Sequence, residues 1–167
     1  MSIATFHNLL VVLPGRVLGN FESLLLLGLR LWVSIDFLKS GWLKITNWQN
    51  TVFLFHNEYH VPVLPPTLAA IAGTAGELVF PCLLVVGLAG RLSAVGLFAV
   101  NVMAVVAYAD VLLSEGFEAA VGQHYLWGLG LLVLAVFGPG RVSLDQVLGL
   151  RARFHAAGPA PLRAHAV

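Results

Sequence analysis

The sequence predicts an all-α integral membrane protein, a four-helix bundle with both termini in the cytoplasm. Of its 167 residues, 59% are hydrophobic and 10% are charged, whereas soluble domains have about 25% charged residues. The mean hydropathy is +0.89. Four apolar stretches each approach the roughly 20 residues that cross a hydrocarbon core of about 30 Å. Little chain remains for a soluble domain.

These stretches divide the chain into an arm, a membrane domain and a tail. We predict an interfacial N-terminal arm over residues 1–20, a four-span membrane domain over 21–149 and a mobile cytoplasmic tail over 150–167. The four spans are expected at about 21–43, 67–88, 92–113 and 123–137.

The segment 47–66 between the first two spans is amphipathic. Val52, Phe53 and Phe55 are expected to lie on the membrane while the nearby polar residues face water. The fourth span ends at Gly138 and Pro139, residue types that terminate helices.

Basic residues predict the orientation. With four spans, both termini share a side with the turn at Gly90, and that side carries most of the basic residues, whereas the opposite loops are acidic. They are Arg16, Arg91, Arg141, Arg151, Arg153 and Arg163. Because basic residues mark the cytoplasmic side, both termini are predicted to be cytoplasmic.

The first span is unusual because it contains Arg30, Asp36 and Lys39 and is followed directly by Lys44, at the membrane interface. An ionisable group at the bilayer centre costs roughly 2.5 to 3.5 kcal/mol on insertion scales, so it normally faces the protein interior and finds a partner. Asp36 and Lys39 are three residues apart, which suits a local ion pair on one helix face.

Arg30, Glu77 and Asn101 come from three different spans and are all expected near the membrane midplane, counting about 1.5 Å per helical residue. A buried arginine and a buried carboxylate at equal depth should pair, because each alone would bear the full desolvation cost. We therefore predict an ion pair between Arg30 and Glu77. The cluster either fixes the register of the helices or forms an active site, and one residue can serve both purposes.

His124 and Tyr108 are expected toward the outer side, above this cluster. Histidine could carry protons there. We predict no metal site, because His56, Glu58 and His60 are spaced by two residues on a loop, which is a weak metal signal.

Several functional classes are disfavoured. The basic residues are dispersed and form no patch with aromatic residues between them, so nucleic acid is not an expected partner. The single cysteine, Cys82, excludes an intrachain disulfide and a dithiol motif. The chain has no haem-binding CxxCH and no dinucleotide-binding GxGxxG, so it would need a partner to supply electrons.

Several short motifs, in their order along the four spans, resemble the DoxX family over about residues 21–147. They are Arg30 with Gly41 and Lys44; Gly76-Glu77-Leu78; Gly87-Leu88 and Gly90-Arg91-Leu92; His124 with Trp127-Gly128; and Gly138-Pro139-Gly140-Arg141-Val142-Ser143-Leu144-Asp145. The loop 53–62 resembles the branch of that family whose genes accompany small metal-binding peptides and the iron enzymes that modify them.

The resemblance implies a four-helix protein of the bacterial inner membrane, related to the membrane subunit of a thiosulfate to quinone oxidoreductase. It also implies Arg30, Glu77 and His124 as core polar positions. A shared fold is weak warrant for chemistry.

Two functions remain open, and a third, transport of a small anion, is disfavoured because the four short spans show no inverted repeat. In the first, the protein is an accessory redox protein that binds a quinone head group or a similar small ligand. Glu77 and His124 would then be catalytic, exchanging protons, and Arg30, Asn101 and Tyr108 would bind the ligand. In the second, the protein is a non-catalytic scaffold or assembly factor for a secreted or metal-handling partner. Both require the lipid bilayer and a protein partner, and both are compatible with a homo-oligomer.

Overall fold

The computed structural model describes residues 13–149, with side chains from Phe21 onward. The predicted tail 150–167 and the first part of the predicted arm, 1–12, lie outside the described residues. Every regular element in the described range is a helix. They are α1 (Leu13–Thr46), α2 (Trp48–Asn57), α3 (Pro66–Val86), α4 (Gly90–Ala107), α5 (Ala109–Leu112), α6 (Glu118–Phe137) and α7 (Leu144–Val147). The predicted all-α class is confirmed.

Three of the described helices, α3, α4 and α6, are long and apolar enough to cross a membrane by length and composition. The charged helix α1 runs through the same layer. The backbone N–H of Arg141, just after α6, donates to Ser23 Oγ near one end of the bundle. Lys44, 21 residues further along α1, contacts α3 near the other end, which is a distance of about 32 Å. This matches a hydrocarbon core of about 30 Å.

The helix ends differ from the prediction in three places. α1 begins at Leu13, so the last part of the predicted arm continues the first span. α4 ends at Ala107 because Tyr108 leaves helical geometry, with φ −119° and ψ 26°, before the short helix α5. α6 begins at Glu118, five residues before the predicted start at 123.

The four long helices surround one hydrophobic core. α1 packs along α3, α4 packs along α6, and α3 and α4 form a hairpin. Apolar side chains from all four helices fill the centre: Leu26, Val33, Phe37, Leu84, Ala94, Leu97, Leu131 and Leu134. We call the end of the bundle where α3 joins α4 the turn end.

The opposite end of the bundle is covered by the segment between α1 and α3. α2 forms there, and Phe55 is buried against Ala69 and Ala70 at the start of α3. The expectation that Phe55 lies on the membrane is therefore wrong, because its ring packs against α3. Phe53 remains 58% exposed. We call this end the cavity end.

Gly41 allows α1 and α3 to approach closely. A Cβ atom built on Gly41 would lie 2.8 Å from Leu78 Cγ and 3.1 Å from Glu77 Cβ, closer than packed atoms come. The two helices are antiparallel, and this contact sets their register. It places Glu77 at the level of Gly41.

Candidate functional site

Arg30 lies at the turn end and is 1% exposed. Its Nε donates to Leu84 O at 2.7 Å, and its Nη2 donates to Val85 O at 2.7 Å. Its Nη1 donates to Pro139 O at 2.6 Å and to Val142 O at 2.7 Å. The guanidinium therefore ties the end of α3 to the segment after α6, using backbone carbonyls as partners.

The predicted ion pair between Arg30 and Glu77 is wrong. Glu77 is level with Gly41, which is 11 residues after Arg30 on α1, a separation of about 16 Å along the helix. Side chains also lean toward the N-terminus of their own helix. On antiparallel helices, Arg30 leans toward the turn end and Glu77 toward the cavity end. The two charged groups consequently point away from each other.

Glu77 pairs instead with Lys44, on the same face of α1 as Gly41. Lys44 Nζ donates to Glu77 Oε1 at 2.8 Å and to Oε2 at 2.6 Å, and it also donates to Ser40 Oγ at 2.8 Å. The Lys44 and Glu77 side chains are 19% and 9% exposed. Lys44 leans back along α1 into the bundle, so the buried carboxylate keeps a countercharge and two hydrogen bonds.

His124 and Asn101 form a second polar pair, between α6 and α4. Asn101 Nδ2 donates to the backbone carbonyl of His124 at 3.0 Å. This contact turns the amide oxygen Oδ1 toward the imidazole, 2.8 Å from His124 Nδ1. Because Oδ1 can only accept, Nδ1 must be the donor. In the neutral imidazole, Nε2 is then the acceptor nitrogen.

A cavity of about 550 Å³ lies between the four long helices at the cavity end. Three of the sequence-predicted site residues line it: Glu77, Tyr108 and His124. Asn101 acts on the cavity through its hydrogen bonds to His124. Arg30 is absent from its lining, so the predicted cluster of Arg30, Glu77 and Asn101 is divided between two places.

The cavity contains polar groups that the sequence interpretation missed. Lys44, Tyr59 and Trp127 also line it. The Trp127 ring lies 5.1 Å from the His124 ring, edge to face, and 5.2 Å from the Phe37 ring. Trp127 Nε1 is buried and has no hydrogen-bond partner among the described residues. Lys44 and Trp127 belong to the motifs that carry the family resemblance. Their place in these motifs could have identified them as candidate site residues from the sequence.

The loop between α2 and α3 closes the cavity end. The backbone N–H of His60 donates to Ala107 O at 2.8 Å. The Tyr59 and Tyr108 rings meet edge to face at 5.1 Å. Burial, followed by the neighbouring Tyr108, raises the pKa of the Tyr59 phenol above its usual value, so the phenol stays protonated at neutral pH.

Asp36 and Lys39 form the expected local pair, with Lys39 Nζ 3.6 Å from Asp36 Oδ1, so that prediction is confirmed. His56, in the last turn of α2, and His60, in the loop after it, contact different residues. His56 Nε2 lies 3.0 Å from Thr67 Oγ1, and His60 Nδ1 lies 3.6 Å from Asp110 Oδ2.

Comparison with known proteins identifies the family. No curated protein and no solved structure matches the chain. The family model DoxX matches residues 25–110, just over half of the chain. This range contains Arg30, Lys44, Glu77 and Asn101, and it ends before His124. The chain therefore belongs to the DoxX family of membrane proteins.

Proposed function

We propose that this protein is an accessory redox protein of the bacterial inner membrane that binds a quinone head group, or a similar small ligand, in the cavity. The observation that carries this proposal is a cavity between the long helices with a partly buried Lys44–Glu77 pair and an oriented His124 on its walls. Its volume of about 550 Å³ falls within the range of roughly 300 to 1,000 Å³ that is usual for small-molecule sites.

The polar groups suit the chemistry of a quinone. Reduction of a quinone to a quinol adds two electrons and two protons to its two carbonyl oxygens. The Lys44 ammonium, whose N–H groups are held by Glu77 and Ser40, can stabilise negative charge that develops on one of those oxygens. Glu77 and His124 can exchange protons, and Asn101 orients the imidazole through its bond to Nδ1.

Lys44 takes the role that the sequence interpretation gave to Arg30. Four backbone carbonyls already accept hydrogen bonds from Arg30, and the cavity lining does not include it. In this proposal Arg30 holds the helices together, while Lys44 stabilises negative charge on a ligand oxygen. Tyr108 contributes to the cavity wall.

The electrons come from a partner redox protein, because the chain has no haem-binding or dinucleotide-binding motif. The cavity end, with its covering loop, is the surface nearest to the ligand. The alternative function is a scaffold or assembly factor for a secreted or metal-handling partner. In that case the Lys44–Glu77 pair would only fix the helix register.

The test is to quantify co-purified quinone by mass spectrometry of lipid extracts. The variants are Glu77→Gln and His124→Phe, each checked for monodisperse, helical protein. Glu58→Gln and His56→Phe are matched controls, because both residues are exposed. We expect the two cavity variants to contain about tenfold less bound quinone per protein than the wild type. The controls should contain as much as the wild type.

Two results would contradict the proposal. If the wild type contained no quinone and did not bind added quinone, quinone would not be the ligand. If folded Glu77→Gln and His124→Phe contained as much quinone as the wild type, these residues would not be part of the binding site. If a partner complex also survived in both cavity variants, the scaffold function would be favoured.

A further inference from the structure

The cavity has an apolar opening between α3 and α4. Of the residues that line the cavity, Ala72 on α3, Ala99 and Met103 on α4, and Leu64 in the covering loop are exposed. Met103 is 41% exposed. A residue that both lines a cavity and is exposed outside lies on its rim. The rim between these two helices is therefore made of small or flexible apolar side chains.

The opening has a cause in the packing of the α3–α4 hairpin. Near the turn, the two helices are in close contact. A Cβ atom on Gly76 would lie 2.6 Å from Val100 Cγ2, and the Phe80 ring packs directly on Gly96. Further from the turn, most of the cavity-lining residues of the two helices are small: Ala69, Ala72 and Gly73 on α3, and Ala104 and Ala107 on α4. A slot therefore extends from the level of the Gly76–Val100 contact, where Ala99 lies, toward the cavity end.

The slot faces lipid. Both α3 and α4 are long and apolar enough to span a membrane, and the rim positions lie within those spans. The charged pair lies elsewhere on the cavity wall, at the contact of α1 with α3. A ligand in the cavity would therefore have its polar groups near Lys44 and Glu77 and an apolar route to the bilayer.

The geometry points to lateral access, and to a ligand class: a lipid-soluble quinone whose ring occupies the cavity and whose isoprenoid chain leaves through the slot. This inference rests on the proposed function and adds the route and the chain. A cavity of about 550 Å³ accommodates a drug-sized molecule. The ring fits within that space and a long isoprenoid chain does not, so the chain must extend into the lipid.

The test closes the slot with larger side chains. Ala72→Phe and Ala99→Phe place a ring on each rim. Ala75→Phe on α3 and Val102→Phe on α4 are matched controls, because these exposed residues do not line the cavity. Each protein is reconstituted in nanodiscs and its helical content checked. Binding is measured for a long-chain ubiquinone supplied in the bilayer, and for the same benzoquinone ring without its chain, supplied from water.

We expect each slot variant to weaken binding of the long-chain quinone, relative to wild type, at least tenfold more than it weakens binding of the chainless ring. The controls should bind both probes as wild type does. Unchanged long-chain binding in both slot variants would overturn lateral access while leaving the quinone site intact. Equal loss of both probes would also overturn it, because the effect would not depend on the chain. Failure of both probes to bind wild type would refute the proposed function and this inference with it.

Discussion

Replacing Arg30 should test whether this residue is structural. Arg30→Met keeps an unbranched apolar side chain and removes the donors to four carbonyl oxygens, those of Leu84, Val85, Pro139 and Val142. A hydrogen bond contributes about 1 kcal/mol net in soluble proteins and averages about 0.6 kcal/mol between membrane helices. Four such bonds predict a loss of about 2 to 4 kcal/mol.

This loss corresponds to a roughly 30- to 1,000-fold change in the unfolding equilibrium constant. Arg30→Lys should lose about half as much free energy, because an ammonium group donates from one point and cannot reach both sides of the site as the guanidinium fork does. Arg91→Met is the control, because Arg91 is an exposed arginine near the same end of the bundle. It should change stability by less than about 0.5 kcal/mol.

Stability is measured by equilibrium unfolding in mixed detergent micelles, with circular dichroism as the readout. Quinone binding is measured on the folded fraction of Arg30→Lys. We expect reduced stability and unchanged quinone binding. If Arg30→Met and Arg91→Met were equally stable, the hydrogen bonds from Arg30 to the four carbonyls would not contribute to the stability of the fold. A folded Arg30→Lys protein without quinone would restore Arg30 to the ligand site.

Two further predictions concern the contact of α1 with α3. Lys44→Met leaves Glu77 without its countercharge and should cost about 3 kcal/mol, whereas adding Glu77→Leu to the same protein should recover much of that loss; a double-mutant cycle in the same unfolding assay measures the coupling, and strictly additive effects would contradict the pair. Gly41→Leu should cost about 1 to 3 kcal/mol by forcing Leu78 away from α1. Gly28→Leu is its control, because a Cβ there meets no atom of another helix within 4 Å; equal stability of both leucine variants would contradict the close approach.

Features that depend on one helix at a time were predictable. The composition and four apolar stretches predicted the all-α membrane class, because a stretch of about 20 apolar residues can satisfy its backbone hydrogen bonds in lipid only as a helix. The Asp36–Lys39 pair was predictable because residues three apart are neighbours on any helix. Glu77, Tyr108 and His124 were selected as polar residues in apolar spans, and the fold places all three around one cavity.

Features that depend on the register between helices were not predictable in the same way. The membrane depth of each polar residue was estimated from the predicted ends of its span. α1 extends from Leu13 to Thr46, well beyond the predicted span 21–43, so the estimate for Arg30 started from the wrong helix end. Equal depth of the Cα atoms would still not have paired Arg30 with Glu77, because their side chains lean in opposite directions along the bundle. Lys44 follows the predicted first span, but its side chain leans back along α1 and so reaches Glu77.

The sequence by itself determined that this protein belongs in a membrane, that its spans are helices and which polar residues must be buried with partners. These properties follow from hydropathy and from spacing along a single helix. The tertiary structure decided which partners those residues have: four carbonyls for Arg30, Lys44 for Glu77 and Asn101 for His124. Partner choice depends on interhelical register and side-chain direction, and the close contact of Gly41 with Leu78 sets that register between α1 and α3.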